Sequence, residues 1–142
     1  MTSGSIYLLD TNIISALMQD RTGAITANVR AWAQRLPDCR LITSVVVQYE
    51  LLVGLARHGT SRLQTAYDIQ MNKLPVLPLD AAVGPHYARL RTHLEKAGTP
   101  IGANDTLIAA HALALGATLI TADAEFSRVP DLALENWLVA TT

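Results

Sequence analysis

Four carboxylates lie where the sequence is otherwise apolar. Asp10 ends the run Ile6–Leu9, and Asp123 follows the run Ala117–Ala122. Glu50 is the only charged residue between Leu41 and Ala56. Between Lys96 and Phe126 the only acids are Asp105, Asp123 and Glu125. Singly, Asp10 and Asp105 could cap helices and Asp123 could close an Asx turn. Glu50 resists such a role. Its helical neighbours three and four positions away are Val46, Val47, Val53 and Gly54, and no Lys or Arg lies within a turn. Two carboxylates about 5 Å apart repel by about 3 kcal/mol at an effective dielectric of roughly 20. Four brought together need protons or cations. An all-carboxylate donor set suits Mg²⁺ or Mn²⁺. Such ions promote phosphodiester hydrolysis by activating water and clamping the leaving oxygen.

Whether the acids meet depends on the elements that carry them. Ile6–Leu9 is predicted as a short buried strand, followed by a helix over Thr11–Met18 with Ile13, Ile14, Leu17 and Met18 on one stripe. A second amphipathic helix spans Gly23 to Leu36 and stops at Pro37. Leu41–Thr43 is the next strand. Ser44 is a good N-cap for a helix over Val45–Ala56. Another helix covers Ser61–Asn72, and a strand lies within Leu74–Leu79. Asp80 is placed to cap a long helix to about Ala97, with Pro85 near its start. Asn104 or Asp105 opens a further helix, Gly116 stops it, and Ala117–Thr121 is a strand. Leu132–Leu138 reads as a last edge strand.

Strands alternating with helices predict an α/β domain with a mostly parallel central sheet flanked by helices. Sites in such sheets form at the carboxyl ends of strands. Asp10 and Asp123 sit at two such ends, and Glu50 lies in the second turn of a helix leaving a third. The helix begun near Asp105 runs antiparallel to the strand after it, which brings Asp105 back beside Asp123. The four acids are therefore expected to converge.

The 142 residues, half of them apolar and 16% charged, make one core-rich domain over residues 1–142. No apolar run reaches the roughly 20 residues of a membrane span. The start, MTSGSIYLLD, has no basic segment or cleavage site, so no signal peptide is expected. Cys39 is the only cysteine, which excludes an internal disulfide and fits a reducing cytoplasm. The net charge of −1 excludes a global basic field for nucleic acid. A polyanionic partner would have to be held by a local basic cluster or by cations at the acids.

At the four acids the sequence resembles a known family. LLDTNIIS at 8–15, SVVVQYELLVG at 44–54, ANDTLIAAHAL at 103–113 and TADAEF at 121–126 are similar, in order, to the motif blocks of PIN-domain ribonucleases. The nearest likeness is to VapC-type toxins of bacterial toxin–antitoxin pairs. The resemblance implies metal-dependent RNA cleavage, with Asp10, Glu50, Asp105 and Asp123 as catalytic metal ligands for Mg²⁺ or Mn²⁺. It also implies a homodimer and a small cognate antitoxin. The family's fourth acid, at Asp123, is variable, and Glu125 is a further outer contributor.

Other residues carry weaker signals. Thr11, Asn12 and Thr121 adjoin the acids and could orient them or simply pack. His111 lies about 240° around its helix from Asp105, in line with Ile108 and Leu115, and is expected in a core or interface. His58, His86 and His93 lack metal-ligand spacing. Cys39 and Ser44 lack partners for nucleophilic catalysis. Arg57, His58 and Arg62 form the densest basic cluster, which reads as a solvated corner and as a weak candidate for RNA contact. Trp32 and Trp137 are expected in the core. Two other functions compete. A phosphoacceptor domain would need a second Asp where Asn12 stands. A non-catalytic PIN-like protein-binding module would not need all four acids.

Overall fold

The chain begins its sheet in the middle. In the computed structural model, which describes residues 5–141, β1 (Ile6–Leu9) is the central strand of five in the order β3-β2-β1-β4-β5. The others are β2 (Arg40–Ser44), β3 (Val76–Leu77), β4 (Thr118–Ile120) and β5 (Leu134–Glu135). Every pairing is parallel. The helices are α1 (Thr11–Met18), α2 (Ala24–Gln34), α3 (Val45–His58), α4 (Ser61–Lys73), α5 (Val83–Lys96) and α6 (Ala103–Leu115), with a 3₁₀ turn over Ala124–Arg128.

Tyr7, Leu8 and Leu9 are all buried, although successive side chains of a strand face opposite ways. A parallel strand covered by helices on both faces has no polar side, so β1 is apolar throughout. Each such side chain contributes about 1.5–3 kcal/mol by leaving water. α6 is covered on nearly all sides, with Thr106, Ile108, Ala109, Ala110, His111 and Ala112 buried. Its sequence is accordingly apolar all round rather than striped.

The strand order puts the site where it is. From β1 the chain winds to β2 and β3 on one side, then returns to place β4 and β5 on the other. The crevice at the carboxyl ends of β1 and β4 is thus the topological switch point. Asp10 follows β1, and Thr121 and Asp123 follow β4. Register fixes the two ends together: Leu9 pairs with Ile120, and the Asp10 N–H donates to the Ile120 carbonyl at 2.9 Å. α6 and β4 then close a return path. From Asp105 to Leu115 the helix descends about 15 Å, and from Thr118 to Asp123 the extended chain climbs about 17 Å. Gly116, in the left-handed region at φ 65°, makes the reversal between them, and its N–H caps α6.

Three expectations are corrected. The last strand is Leu134–Glu135 rather than Leu132–Leu138. It pairs only with Leu119 and Ile120, after which Trp137 turns inward. Trp137 is fully buried between Tyr7 and Trp32, stacked on Trp32 at 6.5 Å between ring centres. The α2 residues Asn28 and Trp32 donate to the carbonyls of Trp137 and Val139 and hold this tail in place. Asp80 caps a turn before α5 rather than the helix itself, accepting from the Ala82 N–H at 3.0 Å. The helix starts at Val83, which leaves Pro85 in the first turn, where its missing N–H costs nothing. α6 starts at Ala103 behind Gly102, so Asp105 is the third helical residue and caps nothing.

Candidate metal centre

Asp105 is the acid with the least to hold it. Among the described residues no donor reaches its carboxylate. It lies in the first turn of α6, half-buried, and faces two other acids. Carboxylate oxygens of Asp105, Asp123 and Glu125 lie within 4.8 Å of one another. Burial first, and then the charges of Asp10, Glu50, Asp123 and Glu125, push the Asp105 carboxyl from 3.8 up to about 6. Asp105, Asp123 and Glu125 are thus brought within reach of one ion, whereas Asp10 and Glu50 lie outside this trio and act on Asp105 through their charge.

Asp10 is held firmly. It is buried at 3% exposure. Its Oδ1 accepts from the Thr11 N–H at 2.8 Å, so it does cap α1. Its Oδ2 accepts from Asn12 Nδ2 at 3.1 Å and from Thr121 Oγ1 at 2.8 Å. Burial raises the Asp10 carboxyl, the bonds from Thr121 and Thr11 pull it back, and the charges of Glu50 and Asp123 raise it further. Of the four acceptor positions of a carboxylate, three are taken and one on Oδ1 is left.

Glu50 is joined to Asp10 through one residue. Thr11 Oγ1 donates to Glu50 Oε1 at 2.5 Å. The valine face inferred from spacing is half right. Val46 and Val47 are buried, but Val53 and Gly54 are exposed, so Glu50 stands at the border of the core. On the other side, Asp123 is joined to Asp10 through Thr121, whose Oγ1 accepts from the Asp123 N–H at 3.0 Å. Asp123 also accepts from the Glu125 N–H at 2.9 Å, which starts the 3₁₀ turn. Its structural use and its place among the acids coincide.

Asn12 is the residue spacing undervalued. Besides Asp10, its Nδ2 donates to Thr121 Oγ1 at 3.1 Å, and its Oδ1 accepts from the Ala122 N–H at 2.9 Å. One amide side chain thus ties the turn after β1 to the turn after β4. Only the short distance of Asn12 from Asp10 in the chain hinted at this. His111 is buried, and its Nδ1 lies 2.8 Å from Ser44 Oγ, which itself accepts from the Val46 N–H. Burial lowers its basicity. It braces α6 against the start of α3 and is not among the acids.

Countercharge is scarce. Among the described residues the only cation paired with any of the five acids is Arg128, 3.8 Å from Glu125 at the exposed rim. A half-buried group of oxygen donors with no cation of its own fits a hard divalent ion such as Mg²⁺ or Mn²⁺. It offers neither the sulfur nor the imidazole that zinc prefers.

The PIN domain family model matches residues 7–132. This chain belongs to the PIN domain family. The resemblance drawn from the four sequence blocks is borne out by the relatives of this PIN domain. It is 38% identical over 134 residues to Ribonuclease VapC1 of Haemophilus influenzae strain R2866, covering 93% of this chain and 98% of that protein. It is 28% identical over 133 residues to the tRNA(fMet)-specific endonuclease VapC of Shigella flexneri, covering 92% and 97%. Among solved structures, VapBC2 from Rickettsia felis bound to a DNA fragment from its promoter superposes with a TM-score of 0.83. That match has 35% identity and covers 93% of this chain and 98% of the other. VapBC-1 from nontypeable Haemophilus influenzae gives 0.81 at 36% identity, covering 94% and 99%. The five-stranded, all-parallel α/β fold of this PIN domain is theirs.

Proposed function

We propose that residues 1–142 act as one PIN nuclease domain, a metal-dependent endoribonuclease that serves as the toxin of a toxin–antitoxin pair. The observation that carries this reading is the trio Asp105, Asp123 and Glu125, with the charges of Asp10 and Glu50 bearing on it and, among the described residues, one paired cation at its rim. Unused, such a cluster only destabilises the fold, and this counts against a non-catalytic binding module. The names of the relatives support the choice of RNA as substrate. The VapBC complexes among the structural neighbours support a small cognate antitoxin as partner. Among the described residues no helix is long and apolar enough to cross a membrane. The cytoplasm, where RNA and antitoxin are both found, is the proposed location.

Asp105 and Asp123 are the proposed core of the Mg²⁺ or Mn²⁺ site, with Glu125 at its rim. Asp10, through its remaining Oδ1 position, and Glu50, through Oε2, complete the ligand set. A divalent ion held there supplies an activated water and positive charge for the leaving oxygen. The chain's own work is to hold the acids still. Asn12 and Thr121 lock Asp10 in one orientation, and Thr11 locks Glu50. Preorganised oxygen donors need no rearrangement during the reaction. Apolar residues beneath Asp10 keep water to one side of the site.

The test is cleavage of total RNA by wild type and by Asp105→Asn, with EDTA, with Mg²⁺ and with Mn²⁺. Wild type is expected to cleave only with added metal, and the variant to lose activity under all conditions. Cleavage in EDTA, or full activity of the variant, would overturn the assignment.

A further inference from the structure

The acidic cluster cannot itself attract RNA, and the whole chain carries a net charge of −1. Affinity for phosphate beyond that of a cation held at the acids must come from a local basic surface. Along α5, His86, Arg89, His93 and Lys96 recur every three or four residues and share one stripe of the helix. The stripe forms one wall of a groove of about 550 Å³, whose other wall is Leu113, Pro130 and Asp131. Among the described residues the ion pairs are Arg91–Glu95 and Arg128–Glu125, so Arg89 and Lys96 stand outside any ion pair, with Asp131 across the groove. The stripe's one polar side-chain contact is internal, Arg89 Nη2 to His86 Nδ1 at 3.3 Å. The two full charges stand about 10 Å apart along the helix axis.

Both walls are joined along the chain to the elements that carry the acids. α5 ends at Lys96, and residues 97–102 connect it directly to the turn of α6 that bears Asp105. The opposite wall continues back through the 3₁₀ turn to Glu125 and Asp123. Arg128 bonds the two segments to each other, donating to the Pro100 carbonyl at 3.1 Å. The other basic cluster sits about two turns beyond Glu50, at the exposed end of α3, and lines no part of this groove. It lies at the junction of α3 and α4, where exposed Arg62 donates from Nη1 to the Met18 carbonyl at 3.4 Å.

We propose that the α5 groove binds the phosphate backbone of single-stranded RNA and leads the strand to the acidic cluster. The proposal rests on the ribonuclease reading and assigns it a substrate track. Arg89 and Lys96 make the phosphate contacts, and Asp131 opposes them from the far wall.

The experiment measures binding of a short fluorescent single-stranded RNA in EDTA across a salt series, for wild type, R89Q/K96Q and D131N. Each lost phosphate contact lowers the slope of log K against log salt by about 0.7. The double variant should therefore lose about 1.4 in slope and bind roughly 10- to 30-fold more weakly near 0.1 M salt. D131N should bind about 2- to 3-fold more tightly, since it removes a charge that repels phosphate. Asp131 sits at φ 65°, a conformation Asn tolerates, so that variant keeps its backbone. Opposite shifts from two variants of the same groove exclude misfolding as the cause. Unchanged slope in the double variant, while wild type still cleaves RNA with Mg²⁺, overturns the proposal and leaves the nuclease reading intact. A double variant that loses its antitoxin but still binds RNA as wild type does overturns the proposal in the same way. Wild type that neither binds nor cleaves RNA overturns both.

Discussion

Replacing Asp105 with Asn should stabilise the metal-free protein. The carboxylate accepts no hydrogen bond among the described residues, so an amide of the same shape forfeits none. What it removes is a charge pressed upon by four others. The rise from 3.8 to about 6 corresponds to a ceiling of about 3 kcal/mol, at 1.36 kcal/mol per pH unit. The side chain is partly open to solvent, and screening reduces this to about 1–2 kcal/mol. The first turn of α6 favours a negative charge by about 0.3–1 kcal/mol, which Asn gives up. The net gain is about 0.5–1.5 kcal/mol, or roughly 2–6 °C in Tm for a chain of this length. The sign with pH follows from linkage. A carboxyl raised in the folded state costs nothing below its unfolded pKa of 3.8 and costs most once pH has passed about 6. Urea denaturation in EDTA should therefore show a difference near zero at pH 4 and fully developed at pH 7. Metal at 100 times its dissociation constant adds about 2.7 kcal/mol to wild type, so Mn²⁺ should narrow or reverse the order. A variant less stable than wild type at pH 7 in EDTA would refute the reasoning. So would a gain equal at both pH values, or a wild-type Tm indifferent to millimolar Mn²⁺.

Asp10→Asn should behave oppositely in EDTA, losing about 1–3 kcal/mol in urea denaturation, because three donors face a side chain that then has one acceptor oxygen. Thr11→Val should leave the Tm within a few degrees yet lower RNA cleavage about tenfold, because Glu50 loses its anchor. In an Asp105→Asn background, stability should rise with pH just below about 6.5, since burial depresses His111 and its unfolded form binds the extra proton. That slope should vanish in Asp105→Asn/His111→Asn, read by urea denaturation across pH. Tyr49, Leu52 and Val53 form an exposed apolar stripe on α3 at 60%, 43% and 46% exposure, which suits the interface of the expected homodimer. Leu52→Glu should yield a monomer by light scattering where wild type is dimeric.

Local chemistry made much of this legible. Ser44 announces α3, Gly116 stops α6, and the apolar run Ile6–Leu9 can only be a covered strand. The convergence of Asp105 on Asp123 follows from the antiparallel run of one helix and the strand after it. What could not be read lies in bonds that span the chain. Asn12 meets Thr121 across 109 residues, and His111 meets Ser44 across 67. No spacing rule encodes either. The last strand is short because tertiary packing overrides its apolar pattern: Trp137 is worth more against Tyr7 and Trp32 than in a ladder. Glu125 was legible only through the family resemblance, as an acid before Phe126, and its inclusion in the trio with Asp105 and Asp123 needed the fold.

The central position of β1 also has a consequence in time. Its partner β4 pairs with it across 111 residues, Tyr7 with Thr118. A ribosome adding about 5–20 residues each second needs several seconds, up to roughly twenty, to travel between them. During that interval a nascent chain exposes Asp10 and Glu50 with nothing to complete them. The acids that make the cluster emerge last, on one return of helix and strand. Synthesis arrested before Gly116 thus leaves a chain without β4, Asp123 and Glu125, and so without the sheet edge on which the cluster is built.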